Sequence, residues 1–252
     1  MRLRVVLGLC AMLGLGIWAA PAAADPTSGP PICSSAGTAL SGNYHRNLTL
    51  TGNNYVAGDT VLTFRGNLTI APGACLDAFS TGTVNVAGNL RVGKNAILGL
   101  GCAPGVDFLP VPCGSTTTDD TIGGNLLAND PYTMYLTADT INGNLVSYGG
   151  GPGAVFSPYV NFPIKDSTIH GNAVIDGWNG TWFGFLGNVV NGNVIVTNIV
   201  AADPDSNEVV TNTIRGNLIC QGNSPAVQVG DSGGSPNKVN GNKIGQCEAP
   251  GL

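Results

Sequence analysis

The string Gly230-Asp231-Ser232-Gly233-Gly234-Ser235 sets a serine among glycines beside an aspartate, a local setting that suits a nucleophile. A serine nucleophile also needs a histidine base held by a carboxylate. The chain has two histidines: His45 in Asn-Tyr-His-Arg-Asn and His170 in Ile-His-Gly-Asn. Neither stands in a setting that completes such a triad, so the string reads as a surface turn and no residue is assigned as catalytic. Paired carboxylates could instead cleave sugars. The adjacent pair Asp119-Asp120 follows a threonine run and reads as solvated loop, while Asp166, His170 and Asp176 flank one Gly-Asn turn and could line a groove. In Asp-Pro-Asp-Ser-Asn-Glu, oxygen donors alternate at Asp203, Asp205 and Asn207, a spacing that calcium accepts. Pro204 and the lack of a following glycine exclude an EF-hand loop, and a capped turn is the ordinary reading. The stretch DGWNGTWFGF, residues 176–185, gathers Trp178, Trp182 and Phe183. Exposed on a flat β-face they would stack on sugars or an apolar partner; otherwise they fill the core.

What positions these residues is a repeat. A box of apolar, any, Gly, Asn, apolar runs as FRGNLTI, VAGNLRV, IGGNLLA, INGNLVS, IHGNAVI, VNGNVIV, IRGNLIC and VNGNKIG. Its glycines fall at 66, 88, 124, 143, 171, 192, 216 and 241, so the steps are 22, 36, 19, 28, 21, 24 and 25 residues. A period near 20–25 residues is a solenoid signature. Val, Ile, Thr and Leu in the boxes and the absence of helical periodicity select β-strands. The expected fold is therefore all-β, a single parallel β-helix with two loop insertions. In each box, alternating apolar residues point inward, so Leu218 is inward and Thr69 outward. The glycine is expected to supply an unusual backbone conformation, and the asparagine to tolerate the left-handed region and stack into a column. Threonine-rich stretches such as TLTGN and STTTDD do not repeat in register, which argues against an ice-binding array.

The long steps place protruding loops at residues 100–120 and 148–159. Arg2, Arg4, an apolar run over residues 5–18 and Ala22-Ala23-Ala24 spell an export signal, residues 1–24. The apolar run is shorter than the roughly 20 residues of a membrane span. Residues 25–44 read as leader and N-terminal cap, 45–247 as the repeat domain and 248–252 as a tail. Without the signal, 8 basic residues face 15 acidic ones, a net charge of −7, and the scattered cations exclude nucleic acid as a partner. Six cysteines remain, an even number that suits an exported, disulfide-bonded chain. No spacing among them suits zinc. Cys102 with Cys113 across the first loop, Cys220 with Cys247 at the C-terminal end, and Cys33 with Cys75 at the N-terminal end are the expected pairs.

The boxes and the ending Gly241-Asn242-Lys243-Ile244-Gly245-Gln246-Cys247 resemble a group of small exported bacterial proteins, frequent in actinobacteria. These are built from Gly-Asn repeats and closed by a Gly-Asn-Lys-x-Gly-Gln-Cys motif. The resemblance covers residues 47–247 and implies a right-handed parallel β-helix; it implies no activity. The boxes also resemble those of bactofilins, which polymerise end to end in the cytoplasm. Pectin-degrading enzymes share the architecture, but their Arg-x-Lys motif is absent here. The expectation is a secreted or cell-surface scaffold, non-catalytic, serving surface structure, adhesion or carbohydrate binding. A polysaccharide lyase or glycoside hydrolase and an envelope polymer are the alternatives. The expected partner is an extracellular glycan or surface component. No cofactor is required, calcium being the one considered.

Overall fold

A computed structural model describes residues 32–33, 37–79, 82–103, 117–156 and 160–252. The stretch read as an export signal, residues 1–24, and residues 25–31 and 34–36 of the expected leader and cap lie outside the described residues. Each coil lays down three short strands, and each strand pairs in parallel with its counterpart one coil away. The result is three parallel sheets of eight, nine and nine strands. The first runs from Thr38–Leu40 to Glu208–Val210, the second from Gly42–Tyr44 to Lys238–Val239, and the third from Leu48–Leu50 to Lys243–Gly245. Helical backbone among the described residues is confined to two 3-10 turns, Gly230–Ser232 and Gln246–Glu248. The chain is thus a parallel β-helix, as the repeat implies. It begins earlier than residue 45, because Thr38–Leu40 and Gly42–Tyr44 already pair within the sheets.

Strands of two to five residues suffice because alternate side chains of the second and third sheets enter one shared core, while first-sheet strands such as Thr133–Thr137 and Trp182–Leu186 are buried at every position. Along Leu145–Tyr148, Leu145 and Ser147 point inward and Val146 outward. Leu218 is fully buried and Thr69 half-buried, as the box pattern requires. Each buried Leu or Ile contributes roughly 1.5–3 kcal/mol.

The box forms the corner from second to third sheet, and its asparagines form the expected column. Asn67 donates its backbone N–H and Nδ2 to Asn47 Oδ1, at 2.8 and 3.2 Å. The same two bonds link Asn89 to Asn67, Asn125 to Asn89, Asn144 to Asn125, Asn172 to Asn144, Asn193 to Asn172 and Asn217 to Asn193. Asn242 ends it by donating its backbone N–H to Asn217. The expected role of the glycine and asparagine conformations is corrected here. Neither the box glycines nor the box asparagines have positive φ. The glycine is needed for close approach: a Cβ on Gly143 would lie 2.5 Å from Asn125 Oδ1 and 2.7 Å from the Gly124 carbonyl. Left-handed residues serve the other two corners, Ala138, Asp166 and Thr211 after the first sheet, and Asn95, Asp130 and Asn198 after the third.

A second column, buried, lines the corner from first to second sheet. Ser167 N donates to Asn188 Oδ1, Asn188 N to Asn212 Oδ1 and Asn212 N to Asn237 Oδ1. The side-chain amides of Asn188, Asn212 and Asn237 donate to the carbonyls of Ile164, Phe185 and Val209 in the preceding coil. Its signature extends the box backward, in DTIGGN, DTINGN, STIHGN, NVVNGN, NTIRGN and NKVNGN. The second residues of these strings form a short row apart from TLTGN and STTTDD: Thr121, Thr140 and Thr168 stand in register on the second sheet, until Val189 interrupts them.

Cys33 pairs with Cys75 and Cys220 with Cys247. Cys113 lies outside the described residues, as does most of the first insertion. The closing motif caps the last coil: Gln246 bonds Asn223 through both ends of its amide, Lys243 Nζ meets the Leu252 carbonyl, and Leu252 is buried.

The ladder makes a testable contrast within one box. Asn144→Ala strands the two donors of Asn172, and should cost about 1–3 kcal/mol. Gly143→Ala should cost at least as much through overlap with Asn125. Asn142→Ala, at the exposed position between them and the strand, should stay within about 0.5 kcal/mol. Urea denaturation checks the ranking, and equal cost at all three positions would exclude the ladder as the source of cohesion.

Candidate metal centre

The candidate residues do not assemble as their spacing suggested. Trp178 and Phe183 are fully buried and Trp182 is 6 % exposed, so they build core and offer no stacking face. Phe162 meets Trp178 and Phe183 edge-on, at 5.5 and 5.7 Å between ring centroids. Asp166, His170 and Asp176 stand at three successive corners of one coil, after the strands Asn161–Lys165, Thr168–Ile169 and at the end of Ala173–Asp176. Each is occupied locally. Asp166 takes the left-handed position, His170 Nδ1 meets Asn191 Nδ2 at 2.9 Å, and Asp176 Oδ1 accepts from Thr197 and Asn198. They line no common groove. Ser232 Oγ donates to the Val229 carbonyl at 2.7 Å.

Asp120 is not solvated loop: it belongs to the buried second column, one coil from Asp139. Asp120 accepts from the backbone N–H groups of Val84 and Gly101, at 2.7 and 2.9 Å. Burial pushes its carboxyl up to about 7 against those two bonds, and the Asp119 charge pushes the same way. Asp139 is buried with neither carboxyl oxygen hydrogen-bonded. Burial, and then the Asp120 charge, hold its carboxyl well above the usual range.

Where chemistry-bearing side chains do converge is the corner from third to first sheet. This corner widens through the second insertion, through residues 177–181 and 198–207, and through residues 222–237. A recess of about 310 Å³ opens there, lined by Phe156, Asn161, Thr181, Trp182, Asp203, Asp205 and Asp231. One carboxylate oxygen from each of Asp205, Glu208 and Asp231 lies within 4.8 Å of the other two. The turn holding Asp205 is pinned by its own N–H on Asp203 Oδ1 and by Gln228 Nε2 on the carbonyls of Pro204 and Ser206. Asp231 comes from the next coil, its N–H donating to Asp205 Oδ2 at 3.0 Å. Gly230 packs so closely that a Cβ there would lie 2.5 Å from Glu208 Cδ.

Glu208 is 1 % exposed. Its Oε1 accepts from Trp182 Nε1 at 3.0 Å, and its Oε2 accepts no hydrogen bond. Burial raises its carboxyl; the Ser232 hydroxyl and the Trp182 N–H oppose that, and the charges of Asp231 and Asp205 add to it. Of the expected oxygen donors, Asp205 belongs to the cluster and Asp203 lines the recess. Asn207 donates its Nδ2 to the Pro225 carbonyl and leaves its Oδ1 buried without a donor. Sequence reading missed Glu208 and Asp231. Their signal was present in the Gly-Asp-Ser-Gly-Gly string, which lies one coil beyond Asp205 and contributes its aspartate instead of its serine.

Among the described residues no helix is long and apolar enough to cross a membrane. Comparison of the chain with protein-family models, curated proteins and solved structures returned no match.

The buried carboxyls predict an unusual pH response. Asp77, Asp120, Asp139, Asp166 and Glu208 all shift upward, burial being the leading cause in each. Between the unfolded value near 4 and the raised folded values, the native chain binds more protons than the unfolded one. Stability therefore falls as pH rises through that window. Melting in EDTA should occur at a higher temperature at pH 5 than at pH 8. Asp139→Asn matches the residue that Asn188, Asn212 and Asn237 supply in later coils. It should recover about 1–3 kcal/mol at pH 8 and change little at pH 5. A melting temperature that rises from pH 5 to pH 8 would contradict the upward shift of these carboxyls.

Proposed function

We propose that the chain is an exported, non-catalytic scaffold of the Gly-Asn-repeat group, adhering to an apolar component of the cell surface through the outer face of its third sheet. The observation that carries this reading is one column of outward side chains. Leu127, Val146, Val174, Ile195, Ile219 and Ile244 stack in unbroken register along six strands. All six are half-buried by their neighbours and keep an open edge to solvent. At about 4.8 Å per coil the strip is roughly 24 Å long. A contiguous outward aliphatic strip on a rigid sheet suits docking to an apolar surface. Sugar stacking is less favoured, because the aromatic cluster is internal.

Export is supported by the signal-like first residues, the two described disulfides and the low charge. The scaffold reading is supported by the separate local duties of Asp166, His170, Asp176 and Ser232. The capped C-terminal end favours a unit of fixed length over an end-to-end polymer.

The mature chain should be retained on octyl-substituted resin and should sediment with isolated bacterial envelopes. A double variant, Val174→Glu with Ile195→Glu, should keep its circular dichroism spectrum and lose both. It should show no turnover of acidic glycans, and a fluorophosphonate probe should leave Ser232 unlabelled. Envelope binding unaffected by the double variant would discard the strip as the docking face, and glycan turnover would discard the non-catalytic reading.

A further inference from the structure

We propose that Asp205, Glu208 and Asp231 bind a calcium ion that clamps two successive coils at the C-terminal end of the β-helix. The strand Glu208–Val210 bridges in parallel to Gln228 of the next coil. Asp205 and Glu208 therefore belong to one coil and Asp231 to the following one. Three carboxylates from two layers converge on one point.

Geometry suits the ion. Calcium takes oxygen ligands at about 2.3–2.6 Å, so two oxygens on one ion lie up to about 5 Å apart. The three carboxylate oxygens lie within 4.8 Å of one another. The cluster contains carboxylates alone, with no histidine or cysteine, a hard oxygen set that selects against zinc and copper. Asp203 and Asn161 line the same recess and can add oxygens toward the six to eight that calcium takes. Asn161 Oδ1 is buried and accepts no hydrogen bond.

Acidic clusters are common on surfaces, but Glu208 sets this one apart. The residue is 1 % exposed, one of its carboxylate oxygens lies in the cluster, and its Oε2 is buried without a donor. An unpaired buried carboxylate is costly unless it is protonated or meets a cation. Among the described residues the one ion pair is Lys94 with Asp130, so no lysine, arginine or histidine neutralises the three acids. Lys165 Nζ sits instead over the Trp182 ring, 5.8 Å from its centroid. The rest of the site is already held in place, by the Asp231 N–H on Asp205, by Gln228 on the turn and by Trp182 on Glu208.

The indole bonded to Glu208 provides a direct readout. Terbium, which occupies calcium sites, should luminesce when the tryptophans of the full mature chain are excited, and calcium should displace it with one-to-one stoichiometry. Titration calorimetry with calcium chloride should give a single site in the micromolar to millimolar range that such sites span. Magnesium should compete at least tenfold more weakly. Asp231→Asn and Asp205→Asn should each weaken calcium at least tenfold, while Asp119→Asn, a distant exposed carboxylate, should not. Calcium should raise the melting temperature of the wild-type chain and leave that of Asp231→Asn unchanged. Asp231 is exposed, so that variant folds without core repair, and the spectrum of Asp119→Asn controls for charge loss alone. No calcium heat and no melting shift at ten millimolar would overturn the site and leave Glu208 as a protonated buried acid. Wild-type affinity in both Asp231→Asn and Asp205→Asn, or equal competition by magnesium, would overturn it as well.

Discussion

One side-chain oxygen holds each coil to the next. Oδ1 of a box asparagine accepts both the backbone N–H and the amide of the asparagine one layer on, and the link repeats from Asn47 to Asn217. The bond requires the backbone beside it to come very close, which is why glycine precedes every asparagine that donates to a layer before it, from Asn67 to Asn242. Any side chain there would strike the oxygen that carries the ladder. Because both partners are neutral and satisfied, the column can run half-buried along the fibre axis without a charge to neutralise.

That constraint gives meaning to the places where charge does enter. In the second column three asparagines supply both a donor and an acceptor, and their amides reach carbonyls of the preceding coil. Asp120 and Asp139 occupy equivalent positions but lack the donor, and burial raises both carboxyls above the usual range. The carboxyls are outliers of an otherwise neutral architecture, and their proton affinity follows from the position they inherit rather than from any reaction.

The three corners differ in what they tolerate. The box corner is locked by close packing and admits no insertion. The corner from third to first sheet uses left-handed residues and lengthens freely, and over the last coils it gains the short strands Asn179–Gly180 and Val200–Ala201. Polar loops accumulate there because the ladders elsewhere already secure the stack. The carboxylate cluster, the recess and Phe156 at its rim, 74 % exposed, all belong to that corner. The outer face of the third sheet, by contrast, is flat and regular, and its aliphatic strip is a direct product of strict register.

The order of apolar residues around Gly-Asn by itself determined the β-helix, the inward place of Leu218 and the asparagine column. Period-two alternation and a repeated box are local properties, and one layer suffices to express them. Tertiary structure decided which side chains meet across layers. The steps between boxes vary from 19 to 36 residues, so vertical neighbours depend on how each loop takes up its excess length. Asp231 reaches Asp205 and Glu208 only because residues 222–237 fold back over the preceding turn. Asp166, His170 and Asp176 fall on different corners because the strands Thr168–Ile169 and Ala173–Asp176 lie between them. The tryptophans, too, could serve a face or a core on sequence alone, core packing being the ordinary reading, and the fold buries their rings.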